Sequence, residues 1–148
     1  MQTSQKITRF AHVMLRVNDL AQSIRFYTEF FGLKVLRQRE YPEGQFSLAF
    51  LGTHEEASST VLELTYNWDN QIYVHGSRFG HLAFEVDDIS SFCSKLDAAA
   101  IEIVRVPGPM RYDAQELIAF IRDPDGYTIE LIQSHRKSET TTSLGVER

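Results

Sequence analysis

The sequence predicts an α+β fold made of two tandem βαβββ modules, each a small sheet with one helix on one face. Two alternating segments, HVMLRV from His12 and HLAFEV from His81, have the period of a half-buried strand. Each is followed by a polar cap, a helical segment and three further strand-like segments. A glutamate, Glu63 or Glu130, lies in the last strand of each module, about fifty positions after the histidine. We therefore expect an internal duplication whose two sheets form a cleft.

The first module spans about residues 8–70. Its helix is expected to begin after Asp19, because Asp is a preferred N-cap and Gln22 follows at the capping-box spacing. Apolar residues recur at helical spacing up to Gly32, which we expect to end the helix. The strand-like segments LKVLR, FSLAFLG and TVLELTY follow, with a turn at residues 41–44 between the first two.

The second module spans about residues 78–134 and repeats this order. Asp88 is the expected N-cap of its helix, and IEIVRV, ELIAFI and YTIELI are the expected strands. The DPDG sequence at residues 123–126 is typical of a hairpin turn. We expect residues 1–134 to form a single domain, and the polar tail at 135–148 to be disordered because it lacks apolar periodicity.

Composition excludes several classes of partner. The chain has 148 residues, 43% of them hydrophobic, which is enough for one compact core. Its net charge of −5 and the lack of a basic stripe make a nucleic-acid partner unexpected. No apolar run is long enough for a membrane helix, and the N-terminus lacks the apolar core of a signal peptide. The single cysteine agrees with a reducing compartment, so we expect a cytoplasmic protein.

Strand alternation determines which side chains share a face of each sheet. It places His12 and Glu63 on the face opposite to the helix in the first module, and His81 and Glu130 likewise in the second. A carboxylate in an apolar strand is costly to bury unless it is paired or bound to a metal. Imidazole and carboxylate donors suit a divalent transition metal, and four protein ligands leave positions open for substrate. We interpret the four residues as ligands of one shared metal centre.

Each of these residues taken alone has a more ordinary explanation. A histidine that opens a strand is more often a hydrogen-bonded structural residue, and a glutamate in an apolar strand more often reaches water at an edge. The duplication of both residues and both spacings favours the metal site instead. We expect no chemical role for the histidines of polar segments, His54, His75 and His135, or for Cys93 on an apolar helix face.

Five segments of the chain resemble one enzyme family over about residues 10–133. HVMLRVNDLAQSIRFYTEFFGLKVL, SLAFLG, VLELTYNW, FGHLAFEV and DPDGYTIELI, in this order, resemble the glyoxalase I (lactoylglutathione lyase) family of the vicinal oxygen chelate superfamily. The resemblance implies the glyoxalase/bleomycin resistance/dioxygenase fold, the same four metal ligands, and a homodimer with its sites at the subunit interface. A histidine as first ligand and a compact chain are similar to the bacterial class activated by nickel or cobalt. We therefore expect Ni²⁺, with Co²⁺, Zn²⁺ and Mn²⁺ as alternatives.

The resemblance also implies the reaction. The hemithioacetal of methylglyoxal and the co-substrate glutathione is isomerised to S-lactoylglutathione by proton abstraction and a metal-bound enediolate, which removes methylglyoxal. In this reading Glu130 takes the proton and Glu63 is its partner in returning it. Arg16 and Asn67 match family positions that hold the γ-glutamyl end of glutathione. Thr65 joins them because strand alternation places it on the same face.

One stretch departs from the family pattern. Before the strand ELIAFI the family commonly has a lysine followed by glycines in a flexible loop, whereas this chain has no glycine between Gly108 and that strand. We expect a loop over residues 108–117, with Arg111 in place of the lysine and close to the glycyl carboxylate of glutathione.

Two other classes of function stay open. The first is another enzyme of the superfamily, either an epimerase of acyl-CoA thioesters or a thiol transferase acting on fosfomycin. The epimerase usually has glutamine at the position of Glu63, and the transferase lacks a fourth protein ligand there. The second class is a metal-free small-molecule-binding module, which has no need for two histidines and two glutamates on the helix-free faces.

Overall fold

The computed structural model describes residues 5–136, and in them the order βαβββ occurs twice, which confirms the predicted fold class. The elements of the first repeat are β1 (His12–Arg16), α1 (Leu20–Glu29), β2 (Lys34–Tyr41), β3 (Phe46–Gly52) and β4 (Val61–Asn67). Those of the second are β5 (Leu82–Val86), α2 (Ile89–Ala98), β6 (Ile103–Met110), β7 (Asp113–Arg122) and β8 (Thr128–Gln133). The tail expected to be disordered lies outside the described residues from position 137 onward.

Each repeat folds into one four-stranded sheet. The strand order is β1-β4-β3-β2 in the first and β5-β8-β7-β6 in the second, with the first and last strands of each repeat parallel and adjacent. This pairing places Glu63 opposite Met14 and Glu130 opposite Ala83. In both cases the opposite residue lies two positions after the histidine. The duplication is therefore kept in the register of the strands.

Both helices begin at the predicted caps. The Asp19 carboxylate accepts a hydrogen bond from the Gln22 N–H at 2.9 Å, and Asp88 accepts from Ser91 at 3.0 Å. Helix α1 ends at Glu29, before Gly32, whose φ of 65° allows the chain to reverse into β2. The caps and the helix end agree with local sequence signals.

The core of each sheet lies under its helix. In the first repeat Tyr27 of α1 and Leu64 of β4 have no exposed surface. In the second, Leu96 of α2 and Leu131 of β8 are buried to the same extent. The alternate residues of β4 and β8, including the two glutamates, therefore point from the opposite sheet face.

The chain divides into two compact units that do not follow the repeat boundary. One unit runs to Phe79 and also takes in Asp123–Tyr127, and the other comprises Gly80–Arg122 and the chain from Thr128. The predicted turn at residues 123–126 forms, with the Gly126 N–H donating to the Asp123 carbonyl at 3.0 Å. This turn of the second repeat thus packs into the first unit.

Three side-chain hydrogen bonds, one of them buried, hold that turn in the first unit. The Tyr27 hydroxyl donates to Asp123 Oδ2 at 2.7 Å. Asp125 accepts from the Asn18 N–H at 2.9 Å and from the Ser23 hydroxyl at 3.2 Å. Burial raises the pKa of both Tyr27 and Asp123.

The prediction of a loop over residues 108–117 is wrong. Strand β6 continues to Met110 and β7 begins at Asp113, so only Arg111 and Tyr112 form the connection. Prolines at 107 and 109 conceal the strand in the sequence, but β6 is the edge of its sheet, where a missing N–H is tolerated.

No helix in residues 5–136 is long and apolar enough to cross a membrane.

Candidate metal centre

The first predicted ligand pair forms on the parallel strands β1 and β4. His12 Nε2 lies 2.8 Å from Glu63 Oε2. The imidazole is 41% exposed and the carboxylate 13%, so the pair is accessible to solvent mainly through the imidazole. We call His12 and Glu63 the first half-site.

The second repeat reproduces this pair, with His81 directly before β5 and Glu130 on β8. His81 Nε2 lies 2.8 Å from Glu130 Oε2, with the side chains 41% and 16% exposed. The ligand separation and the exposure match those of the first pair. We call His81 and Glu130 the second half-site.

The geometry of each half-site fits two donors of one divalent ion. Nitrogen and oxygen donors bind such ions at about 2.1 Å, so two donors at right angles are separated by about 3 Å. The 2.8 Å separations are close to that value. Within residues 5–136 no group of three or more His, Cys, Asp or Glu side chains is placed to hold an ion. Each compact unit thus carries one pair of candidate ligands.

Thr65 lies beside the ligand carboxylate of the first half-site. Its hydroxyl donates to Glu63 Oε1 at 3.3 Å, and the residue is buried. The contact confirms that both side chains share a sheet face. It also gives the hydroxyl a partner within the protein, namely the oxygen of Glu63 that does not face His12.

Asn67 and Arg16 each contact a tyrosine from a connecting segment: Tyr73 follows β4, and Tyr127 lies between β7 and β8. The Asn67 side-chain amide donates to the Tyr73 hydroxyl at 2.8 Å, and the Tyr127 hydroxyl donates to the Arg16 carbonyl at 2.8 Å. Arg16, Tyr73, Tyr127 and Met14 line a pocket of about 280 Å³. Neither tyrosine was an expected site residue: Tyr73 lies outside the periodic segments, and Tyr127 is the first residue of the expected strand YTIELI and carries no signal of a contact with Arg16.

A phenylalanine contacts the histidine of each half-site. Phe50 meets the His12 ring edge-on, with centroids 5.5 Å apart and planes at 80°. Phe120 meets His81 at 5.5 Å and 69°. Neither phenylalanine was an expected site residue, although the Ala-Phe pair repeated in FSLAFLG and ELIAFI is a sequence signal that points to both.

An ion pair lies next to Phe50. Arg37 donates from Nε and Nη2 to the two carboxylate oxygens of Glu56, both at 2.9 Å. This hydrogen bonding raises the pKa of Arg37 and lowers the pKa of the Glu56 carboxyl. The Arg37 guanidinium carbon lies 3.7 Å from the centroid of the Phe50 ring.

The remaining candidates lie apart from the half-sites or have local partners. Arg111 is at the tip of the β6–β7 hairpin, with its guanidinium 5.2 Å from the Tyr112 ring. Cys93 is buried on α2, and burial raises the pKa of its thiol. The three histidines without an expected role contact neighbours: His54 bonds Thr53, His75 packs on Tyr127, and His135 pairs with Glu116.

Comparison with known proteins agrees with this geometry. Residues 9–131 match the Glyoxalase/Bleomycin resistance protein/Dioxygenase superfamily. A lactoylglutathione lyase of Neisseria meningitidis is 49% identical over 125 residues, covering 84% of this chain and 90% of that protein. A probable lactoylglutathione lyase of Synechocystis is 46% identical over 128 residues, covering 86% of this chain and 97% of that protein.

A solved structure shows the same fold. Glyoxalase I from Zea mays superimposes with a TM-score of 0.81 at 40% identity, over 87% of this chain and 46% of the maize chain. The present chain thus spans about half the length of the maize enzyme. The shared fold, the matched sequence and the duplicated half-sites lead to one conclusion: the chain belongs to the Glyoxalase/Bleomycin resistance protein/Dioxygenase superfamily.

Proposed function

We propose that this chain is a lactoylglutathione lyase, which isomerises the hemithioacetal of methylglyoxal and glutathione to S-lactoylglutathione and so removes methylglyoxal. The observation that carries the proposal is the duplicated histidine–glutamate pair, each with a separation of 2.8 Å, in a chain that is 49% identical to a lactoylglutathione lyase. Superfamily members that only bind ligands have no need of such pairs.

The four half-site residues are the proposed ligands of one divalent metal, with Ni²⁺ preferred and Co²⁺, Zn²⁺ or Mn²⁺ as substitutes. Two carboxylates offset the charge of the ion, and two imidazoles suit late transition metals. When bound, the metal supplies Lewis acidity that stabilises negative charge on the substrate oxygens.

Glu130 and Glu63 are the proposed catalytic residues. Glu130 removes the proton from C1 of the hemithioacetal, and that proton passes through Glu63 to C2, while the C1 hydroxyl proton passes to the C2 oxygen, so both carboxylates end the cycle ionised. No electron leaves the substrate, so the reaction needs no redox cofactor. Thr65 supports this assignment because its hydrogen bond orients the Glu63 carboxylate.

Arg16 and Asn67 are the proposed contacts to the γ-glutamyl end of glutathione. The guanidinium of Arg16 suits a carboxylate, and the Asn67 amide can donate and accept. Both lie on the face of the first half-site, and Arg16 lines the pocket of about 280 Å³. Thr65 and Arg111 are weaker candidates, since Thr65 is engaged by Glu63 and Arg111 lies at a hairpin tip.

We further propose that two copies of the chain form a homodimer in the cytoplasm, and that each metal site combines the first half-site of one copy with the second half-site of the other. The resemblance to the glyoxalase I family, whose sites lie at the subunit interface of a homodimer, supports an intermolecular site. A single cysteine, which is buried, supports a reducing compartment.

Metal reconstitution tests the activity. Protein stripped of metal should not form the thioester product, and addition of Ni²⁺ or Co²⁺ should restore its formation, followed by thioester absorbance. Equal activity of stripped and loaded protein would show that the metal-dependent reaction is wrongly assigned.

Subunit complementation tests the shared site. One chain carries His12→Ala and Glu63→Gln, and the other carries His81→Ala and Glu130→Gln. Each variant alone should be inactive, whereas the co-expressed heterodimer should regain one intact site. A heterodimer without activity, alongside an active wild-type dimer, would place both half-sites of each centre in one chain. Glu102→Gln is a matched control, because Glu102 is exposed and pairs with Arg122.

A further inference from the structure

The His12 ring is oriented by packing rather than by its second nitrogen. A histidine that binds a metal usually donates its other ring N–H to a carboxylate or carbonyl, which fixes the plane of the ring. Within the described part of the chain, residues 5–136, the polar partner of His12 is Glu63, through Nε2. The ring contact that remains is the edge-on contact with Phe50.

Phe50 is itself held between the sheet and a cation. It is 4% exposed and belongs to a buried cluster with Leu48 and Val61. Its other neighbour is Arg37, whose guanidinium carbon is 3.7 Å from the ring centroid. Arg37 and Phe50 are directly opposed on β2 and β3, and Phe50 is opposed to Glu63 on β4. The guanidinium, the phenyl ring and the half-site thus lie in one row across the sheet.

Glu56 fixes the guanidinium in that row. The two hydrogen bonds at 2.9 Å form a bidentate pair, which restricts the long arginine side chain to one orientation. Glu56 lies in the connection between β3 and β4, residues 53–60, so the pair also ties this connection to β2.

We propose that the Arg37–Glu56 ion pair is a positioning device for His12, which acts through Phe50 to hold the imidazole in the plane required for metal binding. The proposal rests on the proposed function in taking His12 as a metal ligand. Arg37 and Glu56 touch neither the ligand nitrogen nor the substrate in this scheme, so both are positioning residues.

The second half-site provides an internal control. Arg105 occupies the strand position opposite Phe120, as Arg37 does opposite Phe50. Its guanidinium donates to the carbonyls of Pro109 at 2.6 Å and Ile118 at 3.5 Å, in place of a carboxylate. Loss of the Arg37–Glu56 pair should therefore affect His12 and leave His81 unchanged.

Two variants and two measurements test the proposal. In Arg37→Met and Glu56→Gln, chelator competition should show Ni²⁺ affinity lowered by about 10- to 100-fold, the usual effect of removing support from a ligand. In metal-free protein, NMR spectra should show shifted and broadened ring signals for His12, assigned by their loss in His12→Ala, with His81 signals unmoved. Arg39→Met is the matched control, since Arg39 lies on the same strand face and, among residues 5–136, donates only to the Gln38 carbonyl.

The outcomes separate this proposal from the proposed function. Wild-type affinity and unmoved His12 signals in Arg37→Met would overturn the positioning role, whether or not the enzyme is active. Absence of Ni²⁺ binding by the wild-type protein would instead contradict the metal site, and the ring signals of the metal-free variants would still decide the positioning role. If Arg37→Met does not fold, the same two measurements on Glu56→Gln, which keeps the side-chain volume, decide whether the ion pair positions His12.

Discussion

The two half-sites share one ligand geometry, yet the connections that lead into their glutamate strands differ. In the first repeat, residues 53–60 join β3 to β4 and supply Glu56 to Arg37. In the second, the shorter segment 123–127 joins β7 to β8, and its carboxylates bond Tyr27, Ser23 and Asn18. The corresponding arginine of the second repeat, Arg105, binds carbonyls instead.

The comparison separates the features that the two repeats share from those that differ between them. The histidine, the glutamate, the phenylalanine and the strand register are the same in both repeats, which agrees with the proposal that the two donor pairs serve one ion. The loops and charges around them have diverged: the arginine opposite Phe50, Arg37, is paired with Glu56, whereas the arginine opposite Phe120, Arg105, donates to backbone carbonyls. Equivalent ligands can therefore have unequal support and unequal catalytic roles.

The largest expected effect separates the two glutamates. Glu130→Gln should lower kcat by about 10²- to 10⁴-fold, because the general base is lost, whereas Glu63→Gln should cost less at equal metal content. Steady-state kinetics with metal analysis of each variant checks this. Equal losses in the two variants would remove the distinction between them, and full activity of Glu130→Gln would rule it out as the base.

Metal binding should stabilise the protein through both half-sites. A metal concentration 100 times the dissociation constant adds about 2.7 kcal/mol to the free energy of unfolding. Thermal unfolding with and without Ni²⁺ should show this rise in the wild-type protein and its loss in both His12→Ala and His81→Ala. A rise that persists in one of the two variants would mean that the half-sites do not serve the same ion.

Tyr27→Phe should destabilise the first unit by about 1–3 kcal/mol, because Asp123 loses a buried hydrogen-bond donor. Urea unfolding measures the change. Tyr112→Phe is the control, since Tyr112 is 84% exposed and its substitution should leave the free energy of unfolding unchanged. An equal effect of the two substitutions would show that the turn is not held by this bond.

Tyr73→Phe should raise KM for the hemithioacetal a few-fold and leave kcat unchanged. Asn67 loses the hydroxyl that orients its amide, a contact worth about 0.5–1.5 kcal/mol. Steady-state kinetics separates the two parameters. A fall in kcat with KM unchanged would contradict the role of Asn67 as a substrate contact.

The smallest effect is a pH dependence from Asp123. Burial raises its pKa in the folded protein, so its contribution to stability is full below the unfolded pKa of about 3.9 and is lost as the pH rises through the folded pKa. The free energy of unfolding of the wild type, relative to Asp123→Asn, should therefore rise modestly as the pH falls from neutral towards that range. Urea unfolding at a series of pH values checks the sign, and a relative fall on acidification would contradict it.

Much of the fold could be predicted because its signals are local. Strand alternation located His12, Glu63, His81 and Glu130 on their sheets, and the Asp19 cap is a property of a few adjacent residues. The same alternation placed Thr65 on the face of Glu63, which its hydrogen bond confirms.

The missed features depend on contacts between distant residues. Arg37 and Glu56 lie 19 positions apart, and neither segment has a sequence pattern that predicts their ion pair. The β6–β7 hairpin escaped because prolines at 107 and 109 resemble a loop unless the edge position of β6 is known. Strand propensity does not reveal the order of strands in the sheet, and it is this order that makes the two prolines acceptable in β6.

The return of residues 123–127 to the first unit has a consequence for biosynthesis. Tyr27 and its acceptor Asp123 are separated by 96 positions, so the hydroxyl stays unpaired until most of the chain has been translated. A growing chain folds its units from the N-terminus, and contacts of such long range form late. The first unit therefore cannot complete its packing until residues 123–127 have been synthesised. The two repeats thus complete their folding at about the same time, although the first repeat is synthesised well before the second.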